Sequence, residues 1–373
     1  MTIGMDGRFL AEPSVGIGKY AANLIRSISS CDLHNTYIIF VAQPISNIMF
    51  LSDRIKFVVL RAPNRSLWEQ GVLPVALKRH HIDLYHCLGE LGIPLLGKTV
   101  SVLTVLDIIP VLFQEFQSYR PNWVYKRILP RMIQKCQKVI TISECSKNDI
   151  VNYLGVPADK VEVIYPGVEG FYRPIKDADR ILKQLKKIGL DPGSYILYVG
   201  GLHPRKNLGA LLEAFHGYLS KAKTRQIFLV IVGQTSPYGD EIANQAKALG
   251  IQQRVLFTGH VDEEDLLYLY NGAKLFVYPS KYEGFGLPPL EAMACGCPVI
   301  VSKTSSLPEV VGEAGVYFNP EDKISLLEAM TQVLEKEALR TDLSERGLRR
   351  SSYFSWKKAA EKTLQVYESI AGG

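Results

Sequence analysis

Two cations and two carboxylates are the side chains in this sequence that best fit a ligand-binding role. Arg205 and Lys206 follow a glycine-containing turn, and Glu283 and Glu291 flank a second one. Adjacent cations suit a diphosphate, because they donate charge-assisted hydrogen bonds to phosphate oxygens. Carboxylates accept hydrogen bonds in pairs, which suits the vicinal hydroxyl groups of a ribose or hexose. The two pairs therefore indicate a ligand with both phosphate and sugar groups.

Each of these side chains also has a purely structural explanation. Glu291 would complement a helix dipole, Glu283 would be a solvated loop residue, and both cations would be solvated at the surface. A glycine-rich turn between a strand and a helix is a weak signal on its own. Residue types alone leave both explanations open.

The elements around the two turns favour a binding site. Apolar runs at 195–199 and 275–278 predict buried strands, and helices are predicted from about Leu208 and over 290–294. In an α/β sheet such turns lie at the carboxyl edge of the strands, where ligands bind. The N–H groups at the start of a helix favour anionic oxygens there.

The same alternation of strand and helix continues through the chain and predicts a parallel, doubly wound α/β sheet. The 373 residues are enough for two domains, each with its own core. In the first half, the predicted strands are 2–5, 37–41, 56–60, 84–86, 99–105 and 139–142, and the predicted helices are 19–29, 68–80 and 123–138.

Composition excludes several classes of protein. A net charge of +6 favours phosphorylated ligands or an anionic membrane surface, but it is too small for a nucleic-acid-binding protein. We expect a cytoplasmic protein, since neither a secretion signal nor a membrane-spanning run is visible. Cys295 and Cys297 form the closest pair among six cysteines. Without a second pair or a nearby histidine, they are interpreted as buried thiols and not as metal ligands.

The segment from Glu283 to Glu291, with its internal G-F-G, and the following A-M-A-x-G-x-P-V-I resemble the donor-binding signature of the retaining group 1 (family 4) glycosyltransferases. The resemblance covers nearly the whole chain and is closest to mannosyltransferases. It implies the GT-B fold, in which two Rossmann-like domains face each other across a cleft. Residues 1–170 would bind the acceptor and 171–355 the donor, with the C-terminal helix 356–373 packing back on the first domain.

The resemblance also implies roles for individual residues. Arg205 and Lys206 would bind the donor phosphates, Glu283 would meet the donor sugar, and Glu291 would bind the nucleotide ribose. For Ser306, in a loop expected near the diphosphate, a helix cap is an equally good explanation. The remaining donor-binding residues are Gly16 and Gly18 beside the diphosphate, Gly259 and Val261 beside the base, and the backbone of Phe285, Gly286 and Leu287 at the sugar or phosphate.

Two features of the first half leave alternatives open. Gly16 and Gly18 precede a helix, so they would let the backbone approach a ligand, but a simple helix-entry turn also explains them. Leu106 stands where similar family members have a histidine near the transferred sugar. His86 is a candidate replacement on the acceptor side, although a core histidine is the alternative. Asp107 either joins the acceptor side or shapes its loop.

A basic helix with aromatic residues is predicted within 119–138. Such a helix can lie on an anionic leaflet, at the inner face of the membrane. The alternative is an ordinary amphipathic helix with solvated charges.

The resemblance thus implies a metal-independent, retaining enzyme that moves a hexose from a nucleotide-diphosphate sugar to a glycan or lipid-linked acceptor in cell-surface polysaccharide or lipopolysaccharide biosynthesis. No cofactor is expected, because two cations and helix N-termini would stabilise the leaving group. Two other functions stay open. A non-catalytic or weakened nucleotide-sugar-binding partner would fit Leu106, and a glycosidase would use the two glutamates directly.

Overall fold

Two parallel β-sheets organise the protein, each in its own unit. The computed structural model describes residues 1–11, 16–45, 52–113, 123–221 and 226–371. The first unit comprises Met1–Gly167 and Ser355–Gly373, and the second comprises Val168–Phe354. Chain connectivity therefore makes the first unit discontinuous and the second continuous.

The first unit contains a seven-stranded sheet in which every pairing is parallel. Its strand order is β3-β2-β1-β4-β5-β6-β7. Because β1 pairs with both β2 and β4, the strand order reverses between β1 and β4. The strands are β1 (Thr2–Asp6), β2 (Thr36–Val41), β3 (Ile55–Val59), β4 (Leu84–Cys87), β5 (Val100–Thr104), β6 (Lys138–Thr141) and β7 (Val161–Val163).

Helices cover this sheet, and two of them contain a π-helical turn. The helices are α1 (Gly16–Cys31), α2 (Arg65–Leu67), α3 (Leu73–Arg79), α4 (Ile109–Leu112), α5 (Leu129–Lys135) and α6 (Glu144–Leu154). The π turn Trp68–Val72 joins α2 to α3, and the π turn Val124–Ile128 precedes α5.

The first π turn buries the neighbouring side chains Trp68 and Glu69. Glu69 accepts a 2.7 Å hydrogen bond from Arg8, which also forms a bidentate pair with Asp6 at the end of β1. The Arg8 guanidinium lies 4.2 Å from the centre of the Trp68 ring. Burial alone would lower the pKa of Arg8, but the charge and hydrogen bonds of Asp6, together with the charge of Glu69, outweigh burial and raise it. Buried carboxylates therefore hold this cation in place.

The second unit has a six-stranded parallel sheet in the order β10-β9-β8-β11-β12-β13, which is the dinucleotide-binding order of a Rossmann fold. All five residues of its central strand β8 are buried. This follows from helices on both faces of a parallel sheet. The strands are β8 (Tyr195–Val199), β9 (Phe228–Val232), β10 (Val255–Gly259), β11 (Leu275–Tyr278), β12 (Val299–Ser302) and β13 (Gly315–Phe318).

Eight helices surround this sheet within the described residues. They are α7 (Ala178–Lys186), α8 (Leu208–Lys221), α9 (Pro237–Ala248), α10 (Glu263–Gly272), α11 (Leu287–Ala294), α12 (Leu307–Val311), α13 (Lys323–Glu335) and α14 (Glu337–Ser351). A short 3₁₀ turn, Pro204–Lys206, precedes α8.

The last helix, α15 (Trp356–Ala371), packs against α1 in the first unit. The ring of Trp356 meets the ring of Tyr20 edge to face, with 5.7 Å between centroids. Burial raises the pKa of the Tyr20 hydroxyl to about 12. The C-terminal segment thus completes the core of the N-terminal sheet.

The structure confirms each strand predicted in the first half, with boundaries shifted by one or two residues. The predicted strands at 195–199 and 275–278 are confirmed as well, whereas β7 and β13 were not predicted. Both are short edge strands with partly exposed residues, so they lack a continuous apolar run. The helix expected over 290–294 begins earlier, at Leu287, because Pro288 and Pro289 fit its first turn.

Candidate functional site

The strongest candidate site lies where the strand order of the second sheet reverses. β8 pairs with β9 on one side and β11 on the other, so β8 and β11 flank the reversal. Ligands bind at the carboxyl ends of strands at such a point. The turn after β8 carries Arg205 and Lys206, and the loop after β11 carries Glu283. The topology therefore brings together the cations and the carboxylate that the sequence analysis identified.

Both cations form ion pairs with the same carboxylate oxygen. Arg205 Nη1 lies 2.9 Å and Lys206 Nζ lies 2.5 Å from Glu283 Oε1. Lys206 is 6% exposed and Glu283 is 8% exposed. Neither is a solvated surface residue, so the structure excludes that explanation for this pair.

Neighbouring groups also hydrogen-bond to the members of this ion pair. The Lys206 ammonium donates a 2.8 Å hydrogen bond to the Tyr278 hydroxyl, and Ser280 Oγ donates to Glu283 Oε1. Arg205 also donates to the carbonyl of Tyr282. The ring of Tyr278 stacks on that of Tyr198, 6.0 Å away. These contacts place the two cations at the carboxyl end of the sheet.

The charges in this cluster shift the pKa values of its members. Burial alone would raise the pKa of Glu283, but Lys206 and Arg205 outweigh burial and hold that pKa below its usual range. Burial, followed by the Glu283 charge, raises the pKa of the Tyr278 hydroxyl. Glu283 is therefore a carboxylate at neutral pH, and Tyr278 is a neutral hydroxyl.

Two serines clamp the loop that contains Glu283. Ser305 Oγ accepts a 2.9 Å hydrogen bond from the Glu283 N–H. Ser306 Oγ hydrogen-bonds to the carbonyls of Glu283, at 2.9 Å, and Phe285, at 2.6 Å. Ser306 is fully buried and makes no side-chain cap to α12. The hydroxyl therefore positions the loop and does not cap the helix, whereas the predicted place of Ser306 near the diphosphate stays a prediction.

The second glycine of the G-F-G turn adopts a backbone conformation that favours glycine. Gly286 has φ of +120°, and a Cβ atom there would lie 2.9 Å from Leu307. This backbone lets Leu287 begin α11 directly after the loop. Phe285 is buried edge to face against Phe354, with 5.6 Å between ring centroids. Its side chain therefore packs inside the unit and leaves only its backbone for the predicted ligand contact.

Glu291 lies in α11 and is also buried, with 5% exposure. The Tyr270 hydroxyl donates a 3.0 Å hydrogen bond to its Oε2 atom. Burial, and next the charge of Glu291, raise the pKa of Tyr270. Interaction with the helix dipole alone does not explain why this carboxylate is buried and hydrogen-bonded to a tyrosine.

The predicted base-binding residues lie at the end of β10. Gly259 has φ of +71°, and a Cβ atom there would meet nothing within 4 Å. A groove of about 270 Å³ adjoins this turn, with Thr258, Val261 and Tyr268 among its lining residues. The backbone here is accessible, as readout of a base edge would require.

Comparisons with known proteins cover both units. The model of "Glycosyl transferases group 1" matches residues 180–350, and that of "Glycosyltransferase Family 4" matches residues 16–169. O-antigen chain mannosyltransferase B from Escherichia coli is 35% identical over 271 residues, which are 72% of this chain and 70% of that protein. This chain belongs to the group 1 glycosyltransferases.

Two further similarities support the assignment and its fold. The serotype-specific mannosyltransferase WbdA of Escherichia coli is 34% identical over 73% of this glycosyltransferase, which spans only 34% of WbdA. Anabaena HepE, solved with UDP and glucose, superposes with a TM-score of 0.78 at 18% identity, covering 99% of this chain and 100% of HepE. The expected fold class, an α/β protein with two Rossmann-like domains (GT-B), is confirmed.

The remaining predicted site residues lie in the first unit. Gly16 is exposed at the start of α1, and a Cβ atom there would meet nothing within 4 Å. Gly18 is buried in the first turn of the same helix. The space in front of Gly16 suits the predicted approach of a ligand, but contact with the donor stays a prediction.

His86 is a core residue of this glycosyltransferase. It is fully buried, and its two ring nitrogens hydrogen-bond to Tyr367, at 2.6 Å, and Thr104, at 2.8 Å. Burial lowers its pKa to about 3. The burial and the two hydrogen bonds favour the alternative of a partnered core histidine.

Asp107 and Leu106 follow β5 and are both half-buried. Asp107 Oδ1 accepts a 3.0 Å hydrogen bond from the Ile109 N–H at the start of α4. This contact supports the loop-shaping interpretation of Asp107. The backbone carbonyl of Leu106 accepts a long 3.5 Å contact from the Thr141 hydroxyl.

Only part of the predicted basic helix can be evaluated, since 119–122 lie outside the described residues. Lys126, Arg127 and Arg131 are exposed and Trp123 is 57% exposed, whereas Tyr125 is buried with the apolar side of the helix. The buried face is that of an ordinary amphipathic helix, and contact of the exposed face with a membrane stays a prediction. No helix within the described ranges is long and apolar enough to cross a bilayer.

Cys295 and Cys297 are buried free thiols, as predicted. Within the same described ranges, no three histidine, cysteine or acidic side chains are grouped so that they could hold a metal ion.

Sequence reasoning missed three residues that shape the site, namely Tyr278, Ser280 and Ser305. Tyr278 ends an apolar strand, where an aromatic residue usually indicates only a buried core. The two serines are 25 residues apart in the sequence. The pairing of the strands brings their loops together, so that both serines hydrogen-bond to Glu283. The one available signal was closeness in the sequence, since Ser280 lies near Glu283 and Ser305 directly precedes Ser306.

Proposed function

We propose that this glycosyltransferase moves a hexose from a nucleotide-diphosphate sugar to a glycan or lipid-linked acceptor of a cell-surface polysaccharide, with mannose as the first candidate sugar. The buried Arg205-Lys206-Glu283 cluster at the reversal of the second sheet carries the proposal. The names of two relatives, O-antigen chain mannosyltransferase B and the mannosyltransferase WbdA, support mannose. The UDP in the HepE structure supports a nucleotide donor.

Charge development explains the two cations. As the bond between sugar and phosphate breaks, negative charge accumulates on the departing diphosphate. Preorganised donors aimed at that charge lower the barrier. Arg205 and Lys206 supply two such donors, and α8 begins two residues later, so its N-terminal N–H groups add to the positive potential. This arrangement performs the neutralisation for which other enzymes use a divalent cation, and we propose metal-independent transfer.

The carboxylates would hold the rest of the donor. Glu283 would accept hydrogen bonds from hexose hydroxyls, and Glu291 would accept them from the ribose. We propose retention of configuration. The bond from the anomeric carbon to the phosphate oxygen breaks, and the acceptor oxygen bonds to the same face. The acceptor proton passes to the departing phosphate, so no protein side chain needs to act as the base.

A glycosidase fits the cluster poorly. Such an enzyme needs one carboxyl group with a raised pKa to protonate the leaving group. The pKa of Glu283 is instead lowered by two cations. A reaction without a phosphate leaving group would also give those cations no charge on the leaving group to neutralise.

Ligand-induced stabilisation and product release test the proposal. UDP-, GDP- and ADP-hexoses should be screened by thermal shift, since a ligand that binds only the folded state raises the melting temperature. The best donor is then incubated with candidate acceptors, with and without EDTA. We expect acceptor-dependent release of nucleoside diphosphate, unaffected by EDTA, and an unchanged anomeric configuration by NMR. Release of nucleoside diphosphate at the same rate with and without an acceptor would contradict transfer. Loss of activity in EDTA would contradict metal independence.

A further inference from the structure

Glu283 holds the two cations that the proposed function assigns to the donor phosphates. Its Oε1 atom accepts from Arg205, from Lys206 and from the Ser280 hydroxyl. Three donors converge on one oxygen, which exhausts its lone pairs. The ammonium of Lys206 spends two of its three N–H bonds on Glu283 and Tyr278. The strongest donors and the strongest acceptor of the site are therefore engaged with each other.

The proposed donor would compete for the groups that form this cluster. A diphosphate needs the N–H groups of Arg205 and Lys206, and a hexose needs the acceptor oxygens of Glu283. The two cations and the carboxylate together carry a net charge of +1, whereas the cations alone would present +2. The carboxylate thus halves the positive charge offered to an incoming phosphate.

We propose that Glu283 is an internal counter-ion that is exchanged during the reaction, and that the exchange makes the site discriminate between a sugar-bearing diphosphate and the bare nucleoside diphosphate. This inference rests on the proposed function. On donor binding, the cations turn from Glu283 to the diphosphate. The released carboxylate then accepts hydrogen bonds from the hexose hydroxyls.

The discrimination depends on whether a ligand supplies hydrogen-bond donors to Glu283 in place of the cations that it removes. A nucleotide sugar takes the cations away but supplies hydroxyl donors to the buried carboxylate. A nucleoside diphosphate takes the cations and supplies no hydroxyl at that place. Its binding leaves a buried charge without its partners, which is costly. It also carries more negative charge on its terminal phosphate, which the carboxylate repels.

Product release would follow from the same exchange. Once the sugar has left, the carboxylate and the diphosphate compete for Arg205 and Lys206. Re-formation of the 2.5 Å pair between Lys206 and Glu283 favours departure of the nucleotide. Product release limits turnover in many transferring enzymes, so this competition would directly affect the rate.

Glu283→Gln tests the exchange, because it keeps the shape of the side chain and removes its charge. Purified wild type and variant are titrated by calorimetry with UDP, GDP and ADP and with the corresponding hexose conjugates. We expect the variant to bind the nucleoside diphosphate about tenfold more tightly or better, as loss of a close like charge allows. Its affinity for the nucleotide sugar should rise much less or fall, while transfer is lost.

Two further variants control the experiment. Glu321→Gln removes one negative charge from the surface of the same unit, where Glu321 pairs with Lys281 at 3.4 Å, and it should change neither affinity. Glu283→Asp keeps the charge but draws it back from the cations, so its affinity for the nucleoside diphosphate should lie between those of wild type and Glu283→Gln. This variant also serves if Glu283→Gln does not fold.

The outcomes separate this inference from the proposed function. If the wild type binds no nucleoside diphosphate and no nucleotide sugar, the proposed function fails. If the wild type transfers sugar but Glu283→Gln binds the nucleoside diphosphate no more tightly, or if Glu321→Gln tightens it equally, only the counter-ion exchange is overturned. For Glu283→Asp, an affinity equal to that of the wild type also counts against the exchange.

Discussion

Replacing Lys206 by methionine tests whether the buried cation acts on the leaving group. The substitution keeps most of the side-chain volume in a site that is only 6% exposed. Removing a single preorganised electrostatic donor from an active site typically lowers kcat by about 10²–10³, or about 2.7–4 kcal/mol. We therefore expect Lys206→Met to lower kcat of sugar transfer by that factor.

The same substitution also has a cost in stability. Breaking a buried ion pair costs about 3–5 kcal/mol when the remaining charge is left alone. Glu283 keeps Arg205 at 2.9 Å, so we expect a smaller loss, about 1–3 kcal/mol. For a domain of this size, each kcal/mol lowers the melting temperature by about 2–4 °C. The variant should therefore remain folded at the assay temperature.

The assay is acceptor-dependent release of nucleoside diphosphate, with circular dichroism to verify folding. Lys281→Met is the matched control, because this nearby lysine side chain is 45% exposed and makes only the surface pair with Glu321. Its kcat should be unchanged. A folded Lys206→Met enzyme with nearly wild-type kcat would refute the role of the cation. Equal losses in both variants would instead indicate a general effect of charge.

Three further predictions concern other parts of the molecule. Leu106→His should raise transfer about tenfold if one missing hydrogen bond limits the enzyme; an unchanged or lower rate would show that no imidazole is needed there. His86 has a folded pKa of about 3, below the unfolded value of about 6.5, so the unfolded state binds more protons between these values and stability falls as the pH drops through this window. Urea unfolding should show a loss of about 1.4 kcal/mol between pH 7.5 and 5.5, and a loss just as large in His86→Gln would assign it to other groups. Ser306→Ala should cost about 1–3 kcal/mol in thermal unfolding and lower transfer, since two loop carbonyls lose their donor; full activity at reduced stability would separate the clamp from catalysis.

Much of the fold is predictable from the sequence because buried strands are apolar on both faces. The run Tyr195–Val199 is completely buried, and such runs alternate with amphipathic helices along both units. β3 was also predicted, although three of its five residues are exposed. Edge strands such as β7 have a polar, exposed residue in the middle, so the same criterion misses them.

The site was only partly predictable, for a related reason. Turns after strands carry functional residues, so Lys206 and Glu283 were identified as separate candidates. Their direct contact spans 77 residues of sequence, and only the pairing of β8 with β11 creates it. The hydrogen bonds of buried His86 could not be predicted from the sequence either, because its partners Thr104 and Tyr367 come from distant elements. Local patterns identify the residue types at a site, and tertiary pairing decides which of them meet.

The discontinuous first unit has a consequence for synthesis on the ribosome. Residues 168–354 form one uninterrupted stretch, so the second unit can fold as soon as it leaves the exit tunnel. The first unit is made earlier but needs α15, whose Tyr367 contacts His86 and whose Trp356 contacts Tyr20. The half that is translated first is therefore the half that finishes last, and nascent chains that stall before residue 355 would expose the α1 face to chaperones.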